Sequence, residues 1–471
     1  MQYSVVNYKM VKEKEDFRWD GEFLCFEPVK NKKYQYSAIG DILKFAQYGI
    51  SIDMNEDGQG YKIYRMNEIS DMFCNLDIDK YADVGEKEMK KFVLKNDDVV
   101  FNRTNSQAFV GRTGIFKKFS DEPLIFASYL VRFRPNQEKV LPEYLTAFLN
   151  TKYGVHDVKR RARISINQSN VSASELQKVE IPLLSINFQE KIKPLFSKAF
   201  ESILKSKSLY SQAEQLLLFE LGLLEWKPKH ELTFVKNFFD TQKAERFDAE
   251  YFQPKYEEIV EAVKKYKGGF VGLGKIAKTK RGSLISDTFY NEKSGIPYIR
   301  GADFSSGFLN DDKLVYIDNL FKSSNETKVK KGDVVFALIG TVGSMALVDE
   351  NFDGAFISNN LGKITTQNYN STVLQVLFHS VVGKLYFEKE QTQTAQPKIS
   401  DKDIHKFILP KFESKIEKEI EKNYFESQKS KKLSKALLEI AKRGVEMAIE
   451  KDEQEAEKWI ESEIEKLGVK L

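Results

Sequence analysis

The feature that most constrains this chain is a plan written twice. Arg18-Trp-Asp20-Gly-Glu22-Phe23 returns 228 residues later as Arg246-Phe-Asp248-Ala-Glu250-Tyr251. Tyr61-Lys-Ile-Tyr-Arg65 returns as Ile296-Pro-Tyr-Ile-Arg300, and Lys95-Asn-Asp-Asp98-Val-Val-Phe101 as Lys330-Lys-Gly-Asp333-Val-Val-Phe336, both at an offset of 235. Val110-Gly111 returns as Val342-Gly343 at 232, and the stretch from Gln168 to Pro182 as that from Gln396 to Pro410, again at 228. The order is kept while the offset drifts and comes back, as happens when loops vary on a common scaffold. The sequence reads as a tandem duplication.

Each half closes on a long amphipathic stretch. Between Asn187 and Trp226, apolar residues recur at three- and four-residue steps through Phe188, Ile192, Phe196, Phe200, Ile203, Ala213, Leu217 and Leu221. Pro194 falls near its start. About forty residues of helix span roughly 60 Å. The second stretch runs from Ile416 and Ile420 through Leu433, Leu437 and Ile440 to Val445, and the two are expected to pair. Val445–Leu467 reads as an acidic amphipathic helix with little core of its own: either a solvated face or a docking site for a partner.

Between these stretches lie β-branched and aromatic runs bounded by Gly, Asn and Asp. They predict strands at Lys62–Tyr64, Val99–Phe101, Ile125–Phe133, Pro297–Ile299, Asp333–Ile339 and Ala355–Ile357. Short helices are expected at Pro142–Asn150 and Ser371–Gly383. The expected class is α+β, with two tandem strand-rich domains separated and followed by long antiparallel helices. The domains expected are 1–186 with an N-terminal entry segment, a helical spacer at 187–226, an entry segment and second strand-rich domain at 227–412, and a long helix with an acidic tail at 413–471.

Of the 471 residues, 41% are hydrophobic and 30% charged, a globular composition, and the net charge of +4 says little about partners. Two cysteines, Cys25 and Cys74, build neither a disulfide framework nor a structural zinc site. With no apolar leader at the N-terminus, a cytoplasmic location is expected. Catalytic signatures are missing. The histidines, His156, His230, His379 and His405, are scattered. Gly362-Lys363 lacks the upstream glycine of a P-loop, and no Asn/Asp-Pro-Pro-aromatic motif for amino-group methylation occurs.

Polar, basic loops are the stronger signal. Asn102-Arg103-Thr-Asn105-Ser-Gln107 follows a predicted strand, and Arg160-Arg161-Ala-Arg163 leads into Ser165, Asn167 and Gln168. The second half answers with Lys278-Thr-Lys280-Arg281 and Gln391-Thr-Gln393-Thr-Ala-Gln396-Pro-Lys398. Arg, Asn and Gln pair bidentately with guanine and adenine edges, while basic residues hold phosphates. Solvated basic loops remain the alternative for any one cluster.

At these residues the chain resembles the DNA-specificity subunit of type I restriction–modification systems, over nearly its whole length. Asp98-Val-Val-Phe-Asn102-Arg103-Thr-Asn105-Ser106 with Val110-Gly-Arg112-Thr-Gly114 is similar to one variant of the family's recognition-domain core, and Lys331-Gly-Asp333-Val-Val-Phe336 with Ile339-Gly-Thr-Val-Gly343 to another. Ser165-Ile-Asn167-Gln168 matches the approach to the helix; the second half has no Asn at the position of Asn167. The resemblance implies that two target-recognition domains each read one half of a bipartite target in double-stranded DNA. It implies helices that set the gap and dock methyltransferase subunits, two of them, with restriction subunits as further partners. It implies no catalysis and no cofactor in this chain; S-adenosylmethionine, ATP and Mg belong to the partners.

The residues expected at DNA are Asn102, Arg103, Asn105, Arg112, Arg160, Arg161, Arg163 and Gln168 in the first half. In the second they are Lys280, Arg281, Arg300, Gln393, Gln396 and Lys398. Arg65 and Arg300 recur in both halves, so a structural ion pair is an equal alternative; Asp98 and Asp333 are expected to shape turns. Two other classes stay open: a helical interaction scaffold without DNA readout, and a restriction-type enzyme carrying its own methylation.

Overall fold

The β-branched and aromatic runs form the buried centre of each half. In the computed structural model, described for Phe23 and residues 30–165, 168–291, 294–305, 307–311, 314–319, 321, 328–392 and 396–471, two compact units appear. One comprises Met1–Leu204 with Ser430–Leu471, the other Lys205–Lys429. Arg18, Cys25, Asn167 and Gln393 lie outside the described residues.

The first unit is built on a ladder in the order Leu43–Tyr48, Leu130–Pro135, Val99–Asn102, Thr113–Ile115, continued by Phe73–Cys74 and Ile69–Ser70. The second repeats its first four places with Ala277–Arg281, Leu361–Thr366, Val334–Ala337 and Met345–Leu347. The registers agree: Arg132 faces Val100 in one ladder and Lys363 faces Val335 in the other. A parallel pair recurs as well, Leu124–Phe126 beside Tyr61–Tyr64 and Phe356–Ile357 beside Ile296–Ile299. Val99, Val100 and Phe101, like Val334, Val335 and Phe336, are buried without exception. Central strands covered on both faces need such unbroken apolar runs.

Gly49 and Gly282 end the equivalent edge strands where the backbone crosses another segment. A Cβ would meet the Ala127 oxygen at 2.2 Å in one unit and the Ile357 oxygen at 2.2 Å in the other. The domain ends meet too. Tyr36–Ala38 pairs antiparallel with Glu180–Pro182, and Phe270–Gly272 with Ile408–Pro410.

The long helices are Ile186–Glu220 and Ser414–Glu450, and each contributes a part to both units. In the first unit Phe188, Ile192, Leu195 and Phe196 share a core with Leu437, Ala441, Val445 and Ala448. In the second, Ala213 and Leu217 pack with Ile420 and Tyr424. Early residues of one helix meet late residues of the other, so the two run antiparallel within each unit. The first helix stops at Glu220 rather than reaching Trp226. Gly222, at φ +68°, turns the chain while the Leu223 N–H bonds back to Leu218 O at 2.8 Å. Pro194 lies inside the helix without ending it.

Three expectations on elements are corrected. Ile125–Phe133 is two strands, split by a turn at 127–129. Ser371–Gly383 is two helices, Ser371–His379 and Val381–Glu390, with Ser380 capping the second. The acidic C-terminal run is a separate helix, Glu453–Leu467, capped by Asp452. Its charged face is solvated at Glu455, Lys458, Glu461 and Glu465, while the opposite face packs inward. Ala456 and Ile460 are buried in the first unit's core, and Ile460 occupies the space a side chain on Gly444 would fill. At the far end Ser185 donates its backbone N–H to Glu453 at 2.8 Å, tying the start of the first long helix to this one.

Candidate nucleic-acid interface

A buried aspartate anchors one central strand of each unit, Val99–Asn102 and Val334–Ala337, termed the recognition strands for their likeness to a recognition-domain core. The Asp98 carboxylate accepts the Lys95 N–H at 2.8 Å, closing the turn into Val99–Asn102. It also takes Arg132 at 3.3 Å and Arg134 at 2.7 and 2.9 Å. Burial raises its pKa; the Lys95 amide and the two guanidiniums oppose that rise. Asp333 does the same work with other partners: the Lys330 N–H at 2.9 Å, the Lys363 ammonium at 3.2 Å and the Thr365 hydroxyl at 2.6 Å. The turn-shaping expected of both residues matches these bonds.

Downstream, a small sheet unites the two polar segments of the first half. Thr104–Asn105 pairs with Ser169–Asn170, which pairs in turn with Arg163–Ile164. Arg103 lies at the centre. Its guanidinium stands 5.0 Å from the Tyr48 ring centroid and donates to Asn170 Oδ1 at 3.1 Å and Ser128 O at 3.4 Å. Arg112 stacks on Phe109 at 4.1 Å. Ser106, Gln107 and Ala108 are exposed, as are Arg163, Ile164, Ser165 and Gln168; Ser165 and Gln168 close the hairpin tip through mutual backbone bonds. This surface offers donors, acceptors, an exposed isoleucine and aromatic rings on one scaffold.

Four expected contacts are not on that surface. Asn102 is 0% exposed, with Nδ2 bonded to Met66 O at 2.8 Å, and Asn105 is buried with Oδ1 held by the Ser106 N–H. Arg161 is buried against Asp157 and Glu175. Arg160 pairs with Asp157 at 2.6 Å and lies over Phe23. In these four, polarity serves internal hydrogen bonds, which a strand-following loop needs as much as a ligand does.

In the second unit Lys280 and Arg281 end the exposed edge strand, and Arg281 Nε donates to Asn359 O at 2.5 Å. Lys398 pairs through its backbone with Thr392 and bridges to Ile339, while Pro397 O accepts the Gly340 N–H at 3.0 Å, so the Gln396 loop lies beside Gly340-Thr341. This is the counterpart of the small sheet in the first unit. Arg300 pairs with Asp303, whose carboxylate accepts the Arg300 backbone N–H at 2.7 Å and its guanidinium at 3.4 Å. Arg65 does likewise with Glu68 at 2.6 Å. The ion-pair alternative describes both. Gly111 and Gly343, at φ +91° and +89°, hold the equivalent turns beyond the recognition strands.

Sequence reasoning missed Tyr48, Tyr129 and Asn170. The Arg103 N–H bonds to Tyr129 O at 3.0 Å, and Tyr48 carries the Arg103 stack and accepts the Ala173 N–H through its hydroxyl. A usable signal existed: Tyr48-Gly49 returns as Arg281-Gly282 at an offset of 233, within the drift of the other landmarks. Among the described residues no cluster of His, Cys, Asp and Glu is placed to hold a metal ion, and no helix is long and apolar enough to cross a membrane.

The architecture is that of a duplicated module, and comparison with known proteins gives the class. The family model for the type I restriction modification DNA specificity domain matches residues 31–214 and 267–433. The chain belongs to that family. A curated relative, the putative type I restriction enzyme MjaX specificity subunit of Methanocaldococcus jannaschii, is 26% identical over 282 residues, 59% of this chain. The match spans 61% of that relative's length. Among solved structures, the S subunit of a type I restriction–modification system from M. genitalium aligns at 12% identity and a TM-score of 0.41, covering 89% of this chain and 98% of the other. The HsdS subunit from Thermoanaerobacter tengcongensis aligns at 14% and 0.29, covering 89% and 97%.

Proposed function

We propose that this chain is the non-catalytic, DNA-reading subunit of a type I restriction–modification complex. Each unit reads one half of a bipartite duplex target. The long helices set the spacing between half-sites and dock methyltransferase subunits, two per chain, with restriction subunits joining that assembly in the cytoplasm. Adenine methylation with S-adenosylmethionine and cleavage driven by ATP and Mg belong to the partners. Base contacts in the first half-site come from the Gln107 loop, Arg112, Arg163 and the Gln168 tip; in the second they come from Lys280, Gln393, Gln396 and Lys398.

One observation carries the reading: the same ladder recurs in both units while most side chains of the polar loops at its end differ, Gln168 and Gln396 being a shared exception. A scaffold kept with its tips changed is what two different half-sites require. The test is to express the chain with a methyltransferase partner and map modified adenines by methylation-sensitive sequencing. Modified adenines in both halves of one split motif are expected. A stable complex that leaves DNA unmodified would instead favour the scaffold without DNA readout.

A further inference from the structure

The two ladders can be equated residue by residue. Tyr48 faces Val131 and Arg281 faces Gly362, while Asn102 faces Leu130 and Ala337 faces Leu361. Tyr48 therefore corresponds to Arg281, and Arg103 to Leu338. Backbone bonds agree. Arg103 N–H meets Tyr129 O at 3.0 Å and Leu338 N–H meets Asn360 O at 2.8 Å; Val171 N–H meets Arg103 O at 2.9 Å and Ile399 N–H meets Leu338 O at 3.0 Å.

The cation changes position between these two places. In the first unit the cation sits on the recognition strand, and Arg103 binds the carbonyl of Ser128. In the second that position holds Leu338, which is buried, and the cation sits on the edge strand, where Arg281 binds the carbonyl of Asn359. Ser128 and Asn359 are themselves equivalent, each lying two residues before the paired Leu130 and Leu361. One guanidinium thus stands at the same turn carbonyl in both units, delivered from different strands. Among the described residues neither Arg103 nor Arg281 pairs with a carboxylate, whereas Arg65, Arg132, Arg160 and Arg300 all do.

A guanidinium positioned by a carbonyl yet not neutralised keeps its full charge for an oxyanion. Surfaces that read different bases must differ where bases are read and agree where the backbone is gripped. We infer that Arg103 and Arg281 make the same contact, to a DNA phosphate that fixes each unit's register on the duplex, and that neither reads a base. This deepens the DNA-reading role proposed above and rests on it.

The experiment uses the full chain and a pool of short duplexes of random sequence, with affinity followed across salt concentration. The variants are Arg103→Gln, Arg281→Gln, and the double exchange Tyr48→Arg with Arg103→Leu, which gives the first unit the second unit's arrangement. Each glutamine variant should enrich the wild-type motif, bind every duplex several-fold more weakly, and lower the slope of log affinity against log salt by about 0.9. The double exchange should regain wild-type affinity and slope. A motif altered at any base by either glutamine variant overturns the inference, because that arginine would then be reading sequence. An unchanged salt slope overturns it too. So does a double exchange that melts like wild type yet binds no better than Arg103→Gln. If the wild-type chain itself enriches no motif, the DNA-reading role fails and the inference falls with it.

Discussion

The aspartates at the head of the two recognition strands show what duplication preserves and what it releases. Asp98 is neutralised by two guanidiniums, one of them from Arg132, which is itself only 4% exposed. Asp333 sits at the same register between a lysine and a threonine. The carboxylate, its turn amide and the ladder are common to both. Its partners on the next strand have drifted from Arg132 and Arg134 to Lys363 and Thr365. Backbone register is the inherited quantity, and the charges around it are local solutions.

That comparison breaks if the two aspartates prove equally important. Asp98→Ala strands a buried guanidinium and should cost the first unit about 3–5 kcal/mol. Asp333→Ala leaves a flexible ammonium and a hydroxyl, and should cost the second unit about 1–3 kcal/mol. Denaturant unfolding, with a probe in each unit, measures both; equal losses would mean the drift in partners is energetically silent.

A second point of comparison is the helix Glu453–Leu467, which buries Ile460 in the first unit's core. Ile460→Ala should destabilise the first unit by about 2–4 kcal/mol and leave the second unit's transition where it was. A shift of both transitions by the same amount would show that the two units unfold as one.

The smallest expected effect concerns pH. The first helix of each helical pair ends one residue before a capping hydroxyl, Thr151 or Ser380, on Asn150 in one unit and His379 in the other. Asn150 bonds to Thr113 O and Thr146 O, whereas burial and the nearby Lys384 push the His379 imidazole down to about 4. A histidine with a depressed folded pKa contributes stability that is present above its unfolded value, near 6.5, and lost as pH falls toward 4. The second unit should lose on the order of 2–3 kcal/mol across that window. His379→Asn, which copies the first unit, should flatten the decline. An identical pH profile for wild type and variant would place the acid sensitivity elsewhere.

Much of the scaffold was legible in the sequence because burial on both faces forces apolar runs, and those runs recur. Val99–Phe101 and Val334–Phe336 declare themselves. The candidate surface was legible only by segment. Asn105 looks like a contact residue, yet its side chain is spent on the Ser106 amide, a bond invisible in composition. Arg161 belongs to a basic cluster but pairs with Glu175, fourteen residues away, across a fold the cluster does not announce. The Arg103–Tyr48 stack joins positions five strands apart in sequence, brought together across Leu130–Pro135. The C-terminal helix misled for a related reason: its acidic face dominates the composition, while the socket that receives it is the absence of a side chain at Gly444.

The pairing of Tyr36–Ala38 with Glu180–Pro182, and of Phe270–Gly272 with Ile408–Pro410, has a consequence beyond closing the sheets. Chain entry and chain exit of each recognition domain are hydrogen-bonded neighbours. A domain whose two ends leave through one doorway can be lifted out and another set in its place without moving what precedes or follows it. If each unit reads DNA as proposed, target choice is a removable cartridge, and the frame that holds the cartridge need not change when the word it reads does.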